Sequence, residues 1–274
     1  MNNRTNNTLP ETWDNIGIKM HSYPYYIGNT MARYKQREFF RILDKWTRKE
    51  FGCILKTDSF EEAYGNDEIT GWLTEYSKNV INLDISYEIL KQACLRNKGK
   101  EFRAVSADIL RMPFKSSTFD LIFSSSTYGY LNDIEEGLKE AYRILKPGGT
   151  LIISINNKYG FFFRLIARIF VRFNRVPFFL SKPYSAKRFI ELLNSVGFRV
   201  TQHEYIVHIL PFFNSMISFL DAKNSSISMS LLRAIMKLID KYSVSRSVFK
   251  YLTGWFIVFK ALKETSELSK NKNN

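Results

Sequence analysis

Residues 119–155 read FDLIFSSSTYGYLNDIEEGLKEAYRILKPGGTLIISI, and this stretch decides the fold class of the 274-residue chain. Its apolar run at 121–123 is typical of a strand that is buried on both faces. After a polar turn, apolar residues recur at helical spacing from 131 to 145. The sequence PGG at 147–149 ends this helix, and a second apolar run follows at 151–155. A strand, a helix and a strand in so few residues predict a right-handed βαβ unit, and therefore a parallel sheet.

This order of residues resembles the class I S-adenosylmethionine-dependent methyltransferases. The resemblance lies in a strand that opens with Phe-Asp, a short polar turn, a helix that ends in RILKPGG and the strand TLIISI. It is closest to the small-molecule and lipid-type branch, the methyltransferase type 11-like proteins. It implies S-adenosyl-L-methionine as cofactor and a Rossmann-like α/β fold. That fold is a doubly wound seven-stranded sheet, mostly parallel with an antiparallel last strand, to which this chain adds helical insertions.

Apolar runs along the rest of the chain supply the other strands of such a sheet. They lie at 52–57, 79–84, 101–105, 200–209 and 254–261. The resemblance implies a methyltransferase domain at 51–262 with helical insertions at about 160–182 and 211–251, followed by a polar tail at 263–274. The preceding segment, 1–50, is predicted to be helical. It either lies over the active site as a lid, as in the family, or packs as a plain cap.

The loop after the first strand departs from the family pattern. In the family this strand ends in an acidic residue, and a Gly-x-Gly-x-Gly loop then lets the backbone approach the cofactor. Here residues 54–71 read ILKTDSFEEAYGNDEITG, with Lys56 where the acidic residue would be. The nearest glycines are Gly65 and Gly71. We interpret the loop as lengthened.

Carboxylates are concentrated in this lengthened loop. Asp58 is predicted to take the acidic role beside Glu61 and Glu62. Carboxylates suit the cofactor because it carries an ammonium and a sulfonium. The alternative is that the loop has lost cofactor binding. The chain would then be a non-catalytic membrane-associated or protein-binding module on a methyltransferase scaffold.

The resemblance implies further cofactor-binding residues at the ends of the later strands. Asp84 ends the second strand, where a carboxylate can accept both ribose hydroxyls, although an aspartate there can also be a helix cap. Asp108 would accept from the adenine amino group, with Ile109 over the ring, unless it is a simple turn residue. Small residues after the fourth strand leave room for the methionine part. The predicted cofactor-binding residues are Asp58, Gly65, Gly71, Asp84, Ile85, Asp108, Ile109, Ser124 and Ser125.

Catalytic residues stay unassigned at this point. Methyl transfer from a sulfonium is an in-line displacement, which needs orientation and a dry pocket rather than a nucleophilic side chain. An alcohol or phenol acceptor can also need a base. The sequence favours none of the candidate bases and orienting groups, which are His21, His203, His208, Tyr26, Tyr128 and Tyr159.

The net charge of +14 suggests an anionic partner, which could be nucleic acid, a membrane surface or a phosphorylated substrate. No zinc finger, RNA-binding signature or helix-turn-helix spacing is present, which disfavours nucleic acid. The favoured partner is a small-molecule or lipid-linked acceptor. Peripheral contact with an anionic membrane is suggested by a basic stripe on an apolar helix, although the stripe could equally be solvated on a packed helix. It consists of Arg164, Arg168, Arg172 and Arg175.

The expected compartment is the cytoplasm, with peripheral membrane contact as an extension. The first residues, MNNRTNNTLPE, lack the apolar stretch of a secretory signal. No uncharged run reaches the roughly 18 residues that a spanning helix needs. The two cysteines, Cys53 and Cys94, have neither metal-ligand spacing nor a disulfide framework, so no metal site is predicted.

Overall fold

The computed structural model describes residues 8–21, 29–47, 50–65, 69–160, 181–209, 216–217, 219–221, 223, 225–245, 247 and 249–265. Its strands are β1 (Ile54–Thr57), β2 (Val80–Asp84), β3 (Arg103–Ser106), β4 (Phe119–Ser125), β5 (Leu145–Asn156), β6 (Phe198–His208) and β7 (Gly254–Lys263). Its helices are α1 (Leu9–Met20), α2 (Asn29–Trp46), α3 (Phe60–Tyr64), α4 (Ile69–Leu73), α5 (Tyr87–Arg96), α6 (Ile134–Ile144), α7 (Ala186–Val196), α8 (Ser226–Val244) and α9 (Lys250–Thr253). A 3₁₀ turn, Thr127–Tyr130, follows β4.

The strands form one seven-stranded sheet in the order β3-β2-β1-β4-β5-β7-β6. The pairs from β3 through β5 are parallel, while β7 is antiparallel to both β5 and β6. The predicted Rossmann-like sheet with an antiparallel last strand is confirmed. Because parallel strands point the same way, the carboxyl ends of β1 to β4 lie together at one edge of the sheet.

Both faces of the sheet are covered by helices, which explains the continuous apolar run in β4. Leu121 and Phe123 belong to a core cluster shared with α2, α4 and α8. Ile122 faces the opposite way and belongs to the cluster shared with α6 and α7. Side chains alternate along a strand, so a strand between two helical layers is apolar on both faces along most of its length.

The β4–α6–β5 unit differs from expectation in how the helix meets the strand. α6 ends at Ile144, and Leu145 already pairs with Phe119 of β4. The PGG segment therefore lies inside β5, where the register shifts before Thr150 pairs with Leu121. A Cβ on Gly149 would stand 2.2 Å from a methyl carbon of Leu145, so this irregularity accepts only glycine there.

In the part of the chain that the structure describes, no helix has both the length and the apolar character needed to cross a bilayer. The predicted arginine stripe at 164–175 lies outside the described residues, as does Tyr26.

Candidate cofactor-binding site

Asp84 stands at the carboxyl end of β2 with a backbone amide on each carboxylate oxygen. Oδ2 accepts from the Ser59 amide at 2.8 Å, and Oδ1 accepts from the Ser86 amide at 3.0 Å. The residue is 7% exposed. A carboxylate has about four lone-pair sites, so both oxygens keep acceptor capacity. Asp84 thus joins the loop after β1 to the start of α5 and can still bind a donor.

Asp58 directly follows β1 and has a backbone conformation that favours glycine, with φ of +77°. Its amide donates to the Leu83 carbonyl at 2.6 Å. Its Oδ2 accepts from the Thr127 hydroxyl at 3.0 Å. Asp58 therefore connects the ends of β1, β2 and β4, and brings its carboxylate to the same edge as Asp84.

Both aspartates titrate far above the usual range for a carboxyl group. Burial raises the pKa of Asp84 to about 7, and the nearby Asp58 charge raises it further. Two backbone hydrogen bonds and Lys56 oppose this shift. Burial likewise raises the pKa of Asp58 to about 6, against the attraction of Lys56. A cation bound beside them would favour the ionised form of each carboxyl group.

A buried ion pair lies beneath this loop. The Lys56 ammonium donates to Glu62 Oε2 at 2.8 Å and to the Asp58 carbonyl at 2.6 Å, and Lys56 is 1% exposed. The other oxygen of Glu62 lies 2.6 Å from the Thr70 hydroxyl, which is 2.7 Å from Asn82 Oδ1. Lys56 thus anchors the loop in the core.

This ion pair changes the expectation for the carboxylate-rich loop. The negative charge of Glu62 is compensated by Lys56, and Glu61 forms an ion pair with Lys35 of α2. Asp58 is farther from the Lys56 ammonium, at 3.8 Å. Of Asp58, Glu61 and Glu62, Asp58 is therefore the one whose charge is least compensated by the described residues.

Buried hydroxyls without partners surround the two aspartates. The side-chain oxygens of Thr57, Ser59 and Ser124 have no hydrogen-bond partner among the residues that the structure describes. Thr57 and Ser124 are paired in register across β1 and β4. Buried polar groups are rarely left unpaired in folded proteins. These hydroxyls fit a polar ligand at this edge of the sheet.

The loop after β3 is joined to the same edge. The Ala107 amide donates to the Asp84 carbonyl at 3.0 Å. The half-buried Asp108 accepts from the Leu110 amide at 2.9 Å. Ile109 is 4% exposed and belongs to the core cluster. The Asp108 side chain therefore stabilises the turn that follows it. This single bond leaves part of its acceptor capacity unused.

The remaining predicted cofactor-binding residues have positions that are less specific to a binding site. Ile85 and Ser125 are half-buried at the ends of β2 and β4. Gly65 ends α3, and its carbonyl accepts from Arg96 at 2.8 Å. Gly71 lies exposed inside α4, with no atom within 4 Å of where a Cβ would be. No close approach of the backbone requires glycine at this position.

Helix α1 lies across the same edge of the sheet. Asp14 accepts from the Ser86 hydroxyl at 2.6 Å and from the Glu88 amide at 3.2 Å, at the start of α5. The Trp13 ring contacts the Tyr130 ring edge-on, at 5.1 Å between centroids, in the turn after β4. The helix therefore spans from the end of β2 to the end of β4.

The sequence model of a family described as "Methyltransferase domain" matches residues 61–153. This chain contains a class I S-adenosylmethionine-dependent methyltransferase domain. The matched residues include Asp84 and Asp108. The match begins inside the altered β1 loop, so Lys56 and Asp58 lie outside it.

Curated relatives of the methyltransferase domain agree with this assignment. The uncharacterized methyltransferase YdaC of Bacillus subtilis (strain 168) is 30% identical over 117 residues, which are 42% of this chain and 65% of YdaC. A malonyl-[acyl-carrier protein] O-methyltransferase 1 of Coxiella burnetii is 37% identical over 148 residues, which are 52% of this chain and 43% of that protein. The chain thus spans less than two thirds of either relative.

The fold extends well beyond the matched residues. The crystal structure of an S-adenosylmethionine-dependent methyltransferase from Thermotoga maritima superposes with a TM-score of 0.58. The superposition covers 92% of this chain and 100% of that one, at 17% sequence identity. At this identity the likeness concerns the fold alone.

The candidate bases of the methyltransferase domain are mostly engaged in structure. Both ring nitrogens of His208 have partners, the Thr253 hydroxyl at 3.0 Å and the Tyr205 carbonyl at 2.8 Å. His203 stacks on Phe259, and burial lowers its pKa. His208 therefore has no ring nitrogen left for an acceptor.

Two tyrosines and His21 complete the set of candidates. Tyr128 is fully buried, with its hydroxyl 3.5 Å from the Gly137 carbonyl. His21 is exposed at the end of α1, against the Tyr64 ring. Tyr159 is 47% exposed just beyond β5, which leaves it accessible to an acceptor.

Sequence reasoning missed the Lys56–Glu62 pair and the contacts of Asp14. A signal for the first existed, because a lysine inside an apolar strand needs a buried counter-charge, and Glu62 follows six residues later. No comparable signal links Asp14 to Ser86, 72 positions apart.

Removing one partner of the buried pair is expected to destabilise the fold strongly. Lys56→Met leaves Glu62 buried without a counter-charge, and should lower the free energy of unfolding in urea by about 3–5 kcal/mol. Adding Glu62→Gln should recover much of this loss, since an amide needs no counter-charge and can still bond Thr70. The control is Lys139→Met, which breaks an exposed pair with Glu135 and should leave stability unchanged. Equal effects of the two lysine substitutions would contradict a structural role for Lys56.

Proposed function

We propose that this chain is an S-adenosylmethionine-dependent methyltransferase that acts on a small-molecule or lipid-linked acceptor. The observation that carries the proposal is the cluster of buried polar groups at one sheet edge of a methyltransferase domain. It combines Asp84, which keeps acceptor capacity on both oxygens, with the hydroxyls of Thr57, Ser59 and Ser124, which have no partner among the described residues. The ribose hydroxyls and the amino-acid part of the cofactor are suitable partners for such groups.

In this proposal the two aspartates bind different parts of the cofactor. Asp84 accepts from the ribose hydroxyls, as a carboxylate does at this position of dinucleotide-binding folds. Asp58 balances the positive charge of the methionine part. Asp108 accepts from the adenine amino group, and Ile109 lies by the ring. The neighbouring residues assigned to the same site are Gly65, Gly71, Ile85, Ser124 and Ser125.

When bound, S-adenosylmethionine supplies an electrophilic methyl group, so the chain's own task is positioning. Asp84 and Asp58 hold the loops after β1, β2 and β4 in fixed relation through hydrogen bonds to backbone amides, to the Leu83 carbonyl and to the Thr127 hydroxyl. Helix α1 lies across the edge through Trp13 and Asp14 and keeps water out. Orientation and water exclusion are the contributions that an in-line displacement requires.

The acceptor is expected beside the carboxyl end of β5. A cleft there is lined by Lys158, Lys182, Arg188, Asp133 and Glu135, among others. Glu135 pairs with Lys139, Arg188 pairs with Glu191, and Asp133 caps α6. Lys158 and Lys182 therefore leave a small excess of positive charge, which favours an acceptor with an anionic group. The name of the Coxiella burnetii relative, a malonyl-[acyl-carrier protein] O-methyltransferase, is consistent with such an acceptor.

Cofactor binding is tested by calorimetry with S-adenosylmethionine and S-adenosylhomocysteine. Asp84→Ala is expected to weaken binding by about 1.5–3 kcal/mol, because it removes hydrogen bonds to a charged acceptor. Asp120→Ala is the matched control, since Asp120 caps the opposite end of β1 through the Cys53 amide at 2.9 Å. Its affinity should equal that of the wild type. Equal losses in both variants would argue against ribose binding by Asp84.

The affinity should also depend on pH because the ligand needs ionised carboxylates. Below their raised pKa values Asp84 and Asp58 are protonated in the free protein. Because both carboxyl groups must lose their protons, binding of S-adenosylhomocysteine should tighten by about a hundredfold from about pH 5.5 to about pH 7.5 and then level off. Calorimetry in two buffers of different ionisation enthalpy should show proton release near pH 6.5, and less of it in Asp84→Ala. A flat profile would contradict the assignment.

A second candidate is a non-catalytic membrane-associated or protein-binding module on the same scaffold. The observation that favours it is the glycine-poor loop after β1, whose Ser59 amide already bonds Asp84. Absence of binding at millimolar concentration of either cofactor form, by a folded wild-type protein, would support this candidate and reject the enzyme.

The acceptor class is tested with cofactor labelled in the methyl group. We expect wild-type protein added to cell extract to label the small-molecule or organic-soluble fraction, and Asp84→Ala to label it much less. Label confined to nucleic acid, or to proteins other than an acyl-carrier protein, would contradict the proposed acceptor. Cofactor binding without any transfer would favour the non-catalytic module.

A further inference from the structure

Helix α8 has a second apolar stripe, which is exposed and lies beside its core-facing side. Successive residues are about 100° apart around a helix, so Ile227, Leu231 and Leu238 fall on one stripe about 16 Å long. These side chains are 83%, 47% and 69% exposed. The core-facing side of the same helix is formed by Leu232, Ile235 and Ile239. The helix is therefore apolar on two sides, and only one is covered by the described residues.

Basic residues run alongside the exposed stripe. Arg233, Lys237 and Lys241 recur at steps of four and are exposed. Within the described residues none of them forms an ion pair, whereas the acidic residue of this helix, Asp240, is paired with Arg37. The outer face of α8 thus combines apolar side chains with uncompensated positive charge.

The exposed apolar surface continues at the C-terminal end of α8. Val244 is 68% exposed, and Phe249, just before α9, is 62% exposed. The Lys250 ammonium donates to the Ser243 carbonyl, which holds α9 next to α8. The surface is therefore larger than one helical stripe.

We propose that the α8 face, defined by Ile227, Leu231, Leu238, Arg233, Lys237 and Lys241, binds the surface of an anionic lipid bilayer. A narrow apolar stripe beside a basic one can enter the headgroup region while the cations reach lipid phosphates. The net charge of +14 draws the whole chain to such a surface. A second copy of the chain fits poorly, because two equal faces of positive charge repel each other.

The face adjoins the side of the sheet where the acceptor is expected. The Asn157 side chain, just beyond β5, donates to the carbonyls of Tyr251 and Gly254 at 2.6 and 2.8 Å. α9 therefore packs at the carboxyl end of β5, and bilayer contact would bring this edge close to lipid-linked molecules. Only this last consequence rests on the proposed methyltransferase function, since the bilayer contact itself needs no cofactor.

Sedimentation with sucrose-loaded vesicles tests the proposal. Wild-type protein should bind phosphatidylcholine vesicles that contain phosphatidylglycerol, less so at high salt, and should bind pure phosphatidylcholine weakly. Ile227→Ser/Leu238→Ser and Lys237→Glu/Lys241→Glu should each lower the partition coefficient by about tenfold. The matched control is Leu95→Ser/Lys98→Glu, which changes an exposed leucine and lysine of the α5 region and should bind as wild type.

All three double variants change exposed side chains, and circular dichroism and thermal unfolding verify their folding. The proposal is overturned if wild-type protein binds neither kind of vesicle, or if the α8 variants bind as well as the control. It is also overturned if light scattering shows a dimer that the α8 variants lose, since the face would then belong to a second copy. Cofactor calorimetry is independent of these outcomes, so either proposal can fail alone.

Discussion

The site depends on one carboxylate that the protein does not fully compensate. Asp84 receives two backbone hydrogen bonds, and each such bond to a charged group contributes about 1.5–3 kcal/mol. Taking a carboxylate out of water costs several kcal/mol, and Asp58 adds repulsion. The raised pKa shows that the cost of burial exceeds the gain from these bonds. Such a group is better suited to a ligand with donors and positive charge than to stabilising the chain alone.

Lys56 fixes the conformation of the loop after β1 by a mechanism that differs from that of a glycine-rich loop. A glycine loop follows a ligand closely because it lacks side chains. Here a short helix, α3, returns Glu62 to the core, where it pairs with Lys56. The same ammonium holds the Asp58 carbonyl, which helps to keep that residue in the left-handed region. A buried charge pair thus fixes the backbone where the family uses conformational freedom.

Most of the sheet could be predicted from sequence, because strands between two helical layers are apolar along most of their length. The runs around Ile122 and Ile153 show this directly. The β1 loop could not be predicted, since the fate of Lys56 depends on a counter-charge brought back by α3. The contacts of Asp14 could not be predicted either, because they depend on how α1 packs against α5. Local sequence patterns specify helices and strands. Charge pairing and the packing of one helix against another depend on the tertiary structure.

The position of β7 has a consequence for how the chain folds during synthesis. β7 is the last strand to be made, yet it lies between β5 and β6 and pairs with both. Until it emerges from the ribosome, the facing edges of β5 and β6 have no partner, and such edges invite wrong pairing. The sheet is therefore completed only with β7, and the nascent chain must leave room between the apolar β5 and the partly polar β6 until then.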